Sequence, residues 1–105
     1  MREWSTGAVR DDDDGKPRYD LIPALALRRV AMRFAEGSKK YGEQNWQKGI
    51  PRAQIVASAM RHLEAWRCHR EDHPWREIDE DHLAAAVWNL MVLMHYEEKC
   101  IDVVD

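Results

Sequence analysis

Apolar residues recur at helical spacing over three stretches of the chain, and no Val/Ile/Thr-rich run alternates as a half-buried strand would. In the first stretch Leu27, Ala31, Phe34 and Ala35 recur at that spacing, which predicts a helix from about Leu21 to Tyr41. Asp20 is placed to cap it, Pro23 suits its first turn, and Gly42 closes it. In the second, Ile55, Ala59, Leu63 and Trp66 mark the buried stripe of a helix over about Arg52 to Cys68, entered through breaks at Gly49 and Pro51. The third runs from near Asp79 to about Glu98 and is almost wholly apolar between Leu83 and Met94, with Asn89 the exception. Such a helix needs cover on every side, more than a three-helix monomer of this size supplies, so the pattern predicts a homodimer or a larger oligomer. Residues 1–19 show neither period and read as an extended arm, and the charged stretch 69–77, with Pro74 inside it, reads as a loop. The expected architecture is an all-α bundle of about three main helices in one domain spanning 1–105.

Composition narrows the function classes. The 105 residues are 45% hydrophobic, enough for a modest core, and no run is long and apolar enough to cross a membrane. Residues 1–10 lack the apolar stretch of a signal peptide, and Cys68 and Cys100 share no metal-type spacing, which together point to a reduced, cytoplasmic setting. A net charge of -3 argues against a surface that coats a DNA or RNA polymer. Any polyanion bound here is expected to be small.

The chemistry-bearing residues gather in three places. On the third helix His82 and Asn89 share a face, separated by Ala85 and Ala86, so that a ligand or ion could sit on a floor of methyl groups; equally, Asn89 could bond between helices with His82 exposed in the first turn. On the second helix His62 lies beside the buried stripe, between Arg61 and Glu64. It is either a satisfied core residue or a ligand meeting Asp79 and His82 across the bundle, since carboxylate and imidazole from facing helices build divalent metal sites. Around the turn "KYGEQNW" lie Lys39, Lys40 and Lys48, and the arm adds Arg10, Lys16 and Arg18. These are either solvated charges or phosphate partners, with Trp46 free to stack on a base and Asn45 to read its edge, or with Trp46 simply plugging the core. "DDDDG" lacks the spacing and closing Glu of a calcium loop, and Cys68, His69 and His73 complete no tetrahedral zinc set. No P-loop, GxGxxG or GxSxG motif occurs.

The blocks "TGAVRDDDDGKPRYDLIPALALRRVA", "KYGEQNWQKGIP", "SAMRHLEAW" and "DEDHLAAAVWNLMVLM" occur in an order that resembles the phage dATP/dGTP diphosphohydrolase N-terminal domain family, related to the MazG-like all-α nucleotide pyrophosphohydrolases. The resemblance extends from about Thr6 to Glu98. It implies a helical bundle that assembles as a dimer or tetramer, binds Mg²⁺ or Mn²⁺, and converts a purine deoxynucleoside triphosphate to monophosphate and pyrophosphate. As a phage protein it would act in the host cytoplasm on the nucleotide pool. The MazG-like group holds its metals with an ExxE and an ExxD. The corresponding stretches here are Arg61-His62-Leu63-Glu64 and His82-Leu83-Ala84-Ala85, so the acidic set is incomplete. Carried over to this sequence, the resemblance implies His62, Asp79 and His82 as metal ligands and Asp81 or Glu64 as the base that orients the attacking water. For a substrate of that kind, Arg10, Lys16, Arg18, Lys39, Asn45, Trp46, Arg61 and Asn89 are the expected contacts. The competing expectation is a module that binds nucleotide and hydrolyses nothing.

Overall fold

The computed structural model describes residues 1–12, 14–70 and 80–99, with the backbone alone at positions 69 and 70. Three helices dominate: α1 (Ala24–Tyr41), α2 (Arg52–Arg70) and α3 (His82–Glu98). The central element is α3, packed along most of its length by α2 and more narrowly by α1.

The start of α1 lies later than the capping pattern predicts. Ile22 precedes a proline, which biases it away from helix, and both Ile22 and Pro23 are extended (ψ 126° and 121°), so the helix begins at Ala24. Asp20 caps nothing. It sits in a short 3-10 turn, Tyr19–Leu21, where the Arg18 guanidinium donates to both its oxygens at 2.9 and 2.8 Å. Gly42 does end α1: at φ 94° it adopts a conformation costly for a side chain and donates its N–H to the Ser38 carbonyl at 2.8 Å. The second helix starts where Pro51 offers its carbonyl to the N–H groups of Gln54 and Ile55, at 3.0 and 3.2 Å. At the head of α3 Asp81 is the cap, its Oδ1 accepting from the Ala84 N–H at 3.2 Å.

The arm is not featureless. Arg2–Glu3 (β1) and Val9–Arg10 (β2) pair antiparallel, Arg2 opposite Arg10 and Glu3 opposite Val9. The turn between them is closed by Trp4 and Ala8 and by Gly7 at φ 87°. Strands of two residues carry no readable alternation, which is why the sequence pattern missed them. Residues 1–12 and 14–29 are all exposed.

The core is formed by Ile55, Val92 and Tyr96, with half-buried Phe34, Trp46, Ile50, Trp88 and Leu93 against it. Tyr96 pins the segment between α1 and α2: its hydroxyl donates to the Trp46 carbonyl and accepts from the Ile50 N–H at 3.0 Å. That fixes the short 3-10 turn Asn45–Lys48, which carries Asn45 and Trp46. The predicted stripe on α1 is largely uncovered. Phe34 is half-buried, whereas Leu27 is 48% exposed and Ala31 and Ala35 face outward; the buried residue of α1 is Val30, which the stripe did not include. On α2, Ile55 and Ala59 are buried but Leu63 is 51% exposed. The cause is architectural: α1 packs chiefly against α3, which leaves its outer side uncovered among the described residues.

Candidate functional site

A cavity of about 400 Å³ opens between the C-terminal half of α1, the 42–50 segment, α2 and α3. Its size falls within the roughly 300–1,000 Å³ common for small-molecule sites. Its lining combines aromatic residues, Phe34, Tyr41, Trp46 and Trp88, with charged and polar ones that include Arg33, Glu36, Lys40, Asn45, His62 and Asn89. Trp46 meets Phe34 edge-on, centroids 5.9 Å apart, and His95 likewise at 4.9 Å. Trp46 therefore plugs the core and lines the cavity at once. Asn89, 6% exposed, donates to the Ala85 carbonyl at 2.8 Å and to the Ser58 hydroxyl at 3.4 Å, which aligns its amide along the cavity floor.

Beside this cavity α2 and the entry to α3 bring together His62, Glu80 and His82, whose ligand-type atoms all lie within 4.8 Å of one another. The two imidazoles face each other through Nδ1 atoms 2.9 Å apart, and Glu80 Oε1 is 4.0 Å from His62 Nδ1. His82 is 4% exposed behind the other two. Its placement follows from the tight turn in which its N–H donates to the Glu80 carbonyl at 3.0 Å, turning both side chains toward α2. Burial pushes the His62 pKa down; Glu80 opposes this, and Arg33, His82 and Arg61 add to it. The ring is therefore neutral at pH 7, the form that ligates metal. Two imidazoles and one carboxylate can hold a divalent ion, and they suit Mn²⁺ or another transition metal better than Mg²⁺, which prefers oxygen donors.

The expected site residues divide into those at the cavity and those away from it. His62, Asn45, Trp46 and Asn89 line the cavity, and His82 stands behind it. Asp79 lies outside the described residues. Asp81, expected as a base, is committed twice: it caps α3 and takes two bonds from Arg29, at 2.9 and 2.6 Å. The Arg29 guanidinium holds its pKa down, which makes it a weaker base. Glu64 is exposed on α2, accepts from the Cys68 thiol at 3.5 Å, and does not line the cavity. Arg61 and Lys39 are exposed outside the lining, although Lys40 is in it. Arg10 lies in β2, Lys16 beyond it, and Arg18 on Asp20; none reaches this cavity within the single chain.

Two residues escaped the sequence reading. Glu80 was hidden between Asp79 and Asp81, where each acid of the run has an equal claim until the turn is known. Arg33 lies seven residues before Lys40 on the same helix face, a spacing that could have singled it out. Its Nη2 holds Glu80 at 2.7 Å and its Nη1 is 3.5 Å from Glu36.

The Asp81 geometry makes a prediction about stability. Asp81→Ala removes a helix cap and an ion pair, for an expected loss of about 1–2 kcal/mol. Asp81→Asn keeps a capping oxygen and should lose less. Urea unfolding of both variants checks this, and equal losses would mean that the cap contributes nothing.

Fold and site together define a small α-helical protein with a candidate metal centre beside an aromatic cavity. The chain belongs to the family described as dATP/dGTP diphosphohydrolase, N-terminal, whose sequence model matches residues 6–104. Its description names purine deoxynucleoside triphosphates and covers an N-terminal portion. No curated protein and no solved structure matches the chain. Among the described residues no helix is long and apolar enough to cross a membrane.

Proposed function

We propose that this chain hydrolyses a purine deoxynucleoside triphosphate to its monophosphate and pyrophosphate with the help of a divalent ion. The observation that carries this reading is the His62–Glu80–His82 cluster, set at the edge of a cavity whose walls offer aromatic faces for a base and Lys40 and Arg33 for phosphates. His62, Glu80 and His82 would hold the ion, which when bound supplies charge neutralisation at the phosphates and polarises the one attacked. Asn45 and Asn89 offer amide groups to the base edge, and Trp46 and Trp88 exclude water around it. Glu36, which also lines the cavity, would accept the proton of the attacking water, in place of Asp81, which is bound to Arg29, and of Glu64, which lies outside the lining.

The test is to incubate the eight common deoxy- and ribonucleoside triphosphates with the protein and Mn²⁺ or Mg²⁺ and to separate products by ion exchange. Monophosphate with pyrophosphate from dATP or dGTP is expected, faster with Mn²⁺. A second reading, a nucleotide-binding module without turnover, is favoured by the engagement of Asp81 with Arg29 and by the small number of carboxylates that the described residues bring to the cavity. Binding without products would select it.

The protein is also proposed to act as a homo-oligomer. Leu25 on α1 and Leu90 and Met94 on α3 are 81%, 49% and 55% exposed. The radius of gyration, 18.5 Å, exceeds the roughly 13 Å of a compact chain of this length. Sedimentation velocity is expected to show a dimer or tetramer, and L90E/M94E should shift it toward monomer. A monomeric wild-type protein at micromolar concentration would overturn this.

A further inference from the structure

Arg33 connects the two halves of the site. Its guanidinium lines the cavity, is 26% exposed, and is held between Glu80 at 2.7 Å and Glu36 at 3.5 Å. The Glu80 oxygen that takes Arg33 is Oε1, the same atom that lies 4.0 Å from His62 Nδ1. Across an ion with bonds of about 2.0–2.2 Å, two ligand atoms sit roughly 3.0–3.5 Å apart. The histidine nitrogens, at 2.9 Å, already have nearly that spacing, whereas Glu80 must close on His62. The carboxylate therefore has two cationic claimants, the ion and Arg33, for one oxygen.

We propose that Arg33 is a phosphate-binding residue released by the metal: when Glu80 turns to the ion, the guanidinium is freed into the cavity to take the nucleotide's phosphates. This rests on the metal and nucleotide reading above and adds an order to it, ion first and nucleotide second. The electrostatics support the exchange. Without the ion, Arg33 compensates the Glu80 carboxylate; with the ion in place, Glu80 has a stronger partner, and Arg33 is left with Lys40 on the α1 wall of a cavity that then favours an anion. A bidentate fork on a phosphate is also a better use of a guanidinium than the longer contact to Glu36.

The experiment uses two variants and calorimetry, with circular dichroism to confirm folding. In Arg33→Met, Mn²⁺ affinity is expected to rise about 3-fold, because Glu80 loses its competitor. Affinity for an α,β-imido analogue of dGTP at saturating Mn²⁺ should fall about 10-fold or more. In Glu80→Gln the signs reverse: Mn²⁺ affinity falls, while affinity for dGTP in EDTA rises above that of the wild type, since Arg33 has lost its closer carboxylate partner without any ion. The Glu80→Gln measurement stands even if Arg33→Met does not fold. Mn²⁺ binding that is unchanged or weaker in Arg33→Met, or no gain for Glu80→Gln in EDTA, overturns the release and leaves the site reading intact. A wild-type protein that binds no Mn²⁺ overturns both.

Discussion

Replacing His62 or His82 by alanine is expected to lower Mn²⁺ affinity by about 100-fold or more. Losing even a partner that only orients a metal ligand typically costs about 10–100-fold, and a direct donor should cost at least as much. Both histidines present Nδ1 to the same point, so neither can substitute for the other. His62, half-buried at the cavity wall, is the cleaner position, because truncating it leaves less of a void than truncating His82 at 4% exposure. His82→Gln keeps bulk and polarity and controls for that void. Titration calorimetry with Mn²⁺ alone gives the answer without reference to turnover. Unchanged affinity in His62→Ala and His82→Gln would mean that the two rings form a hydrogen-bonded pair and no metal centre.

Much of this site could be read in the sequence because helices convert spacing into direction. His62 lies beside the Ile55 and Ala59 stripe and so on the core-facing side of its helix, and an acidic entry near Asp79 to an apolar helix puts acid and the His82 imidazole at the same end of the bundle. The residues that were misread are those whose direction depends on a turn. Asp81 and Glu80 are neighbours, yet one caps α3 and pairs with Arg29 while the other joins the histidines, a choice made by the backbone at the helix entry. Asp20 was misread for a related reason: proline at position 23 delays the helix, and the acid is left to Arg18. The apolar stripe of α1 was legible as a stripe, but periodicity does not say what covers it. Where Leu25 and Leu27 remain exposed, a pattern of burial predicts a partner as readily as a core.

Trp46 tests how the turn that carries it serves two ends. Its ring packs edge-on against Phe34 and His95, and its carbonyl takes the hydroxyl of buried Tyr96. Trp46→Ala removes those ring contacts but not the backbone bond, and is expected to destabilise the fold by about 3 kcal/mol. If the ring also shields a bound base, nucleotide affinity should fall about 10-fold beyond what the folded fraction explains. The two effects separate in Trp46→Phe. A phenyl ring keeps most of the packing against Phe34 and restores most of the stability, yet presents less surface to a purine, so affinity should recover only in part. Urea unfolding and nucleotide titration on the same preparations give both numbers. If affinity tracks stability through all three proteins, Trp46 is a core residue that happens to border a cavity. If Trp46→Phe is stable and still binds weakly, the indole is part of the base site, and the Asn45–Lys48 turn is held by Tyr96 in order to present it.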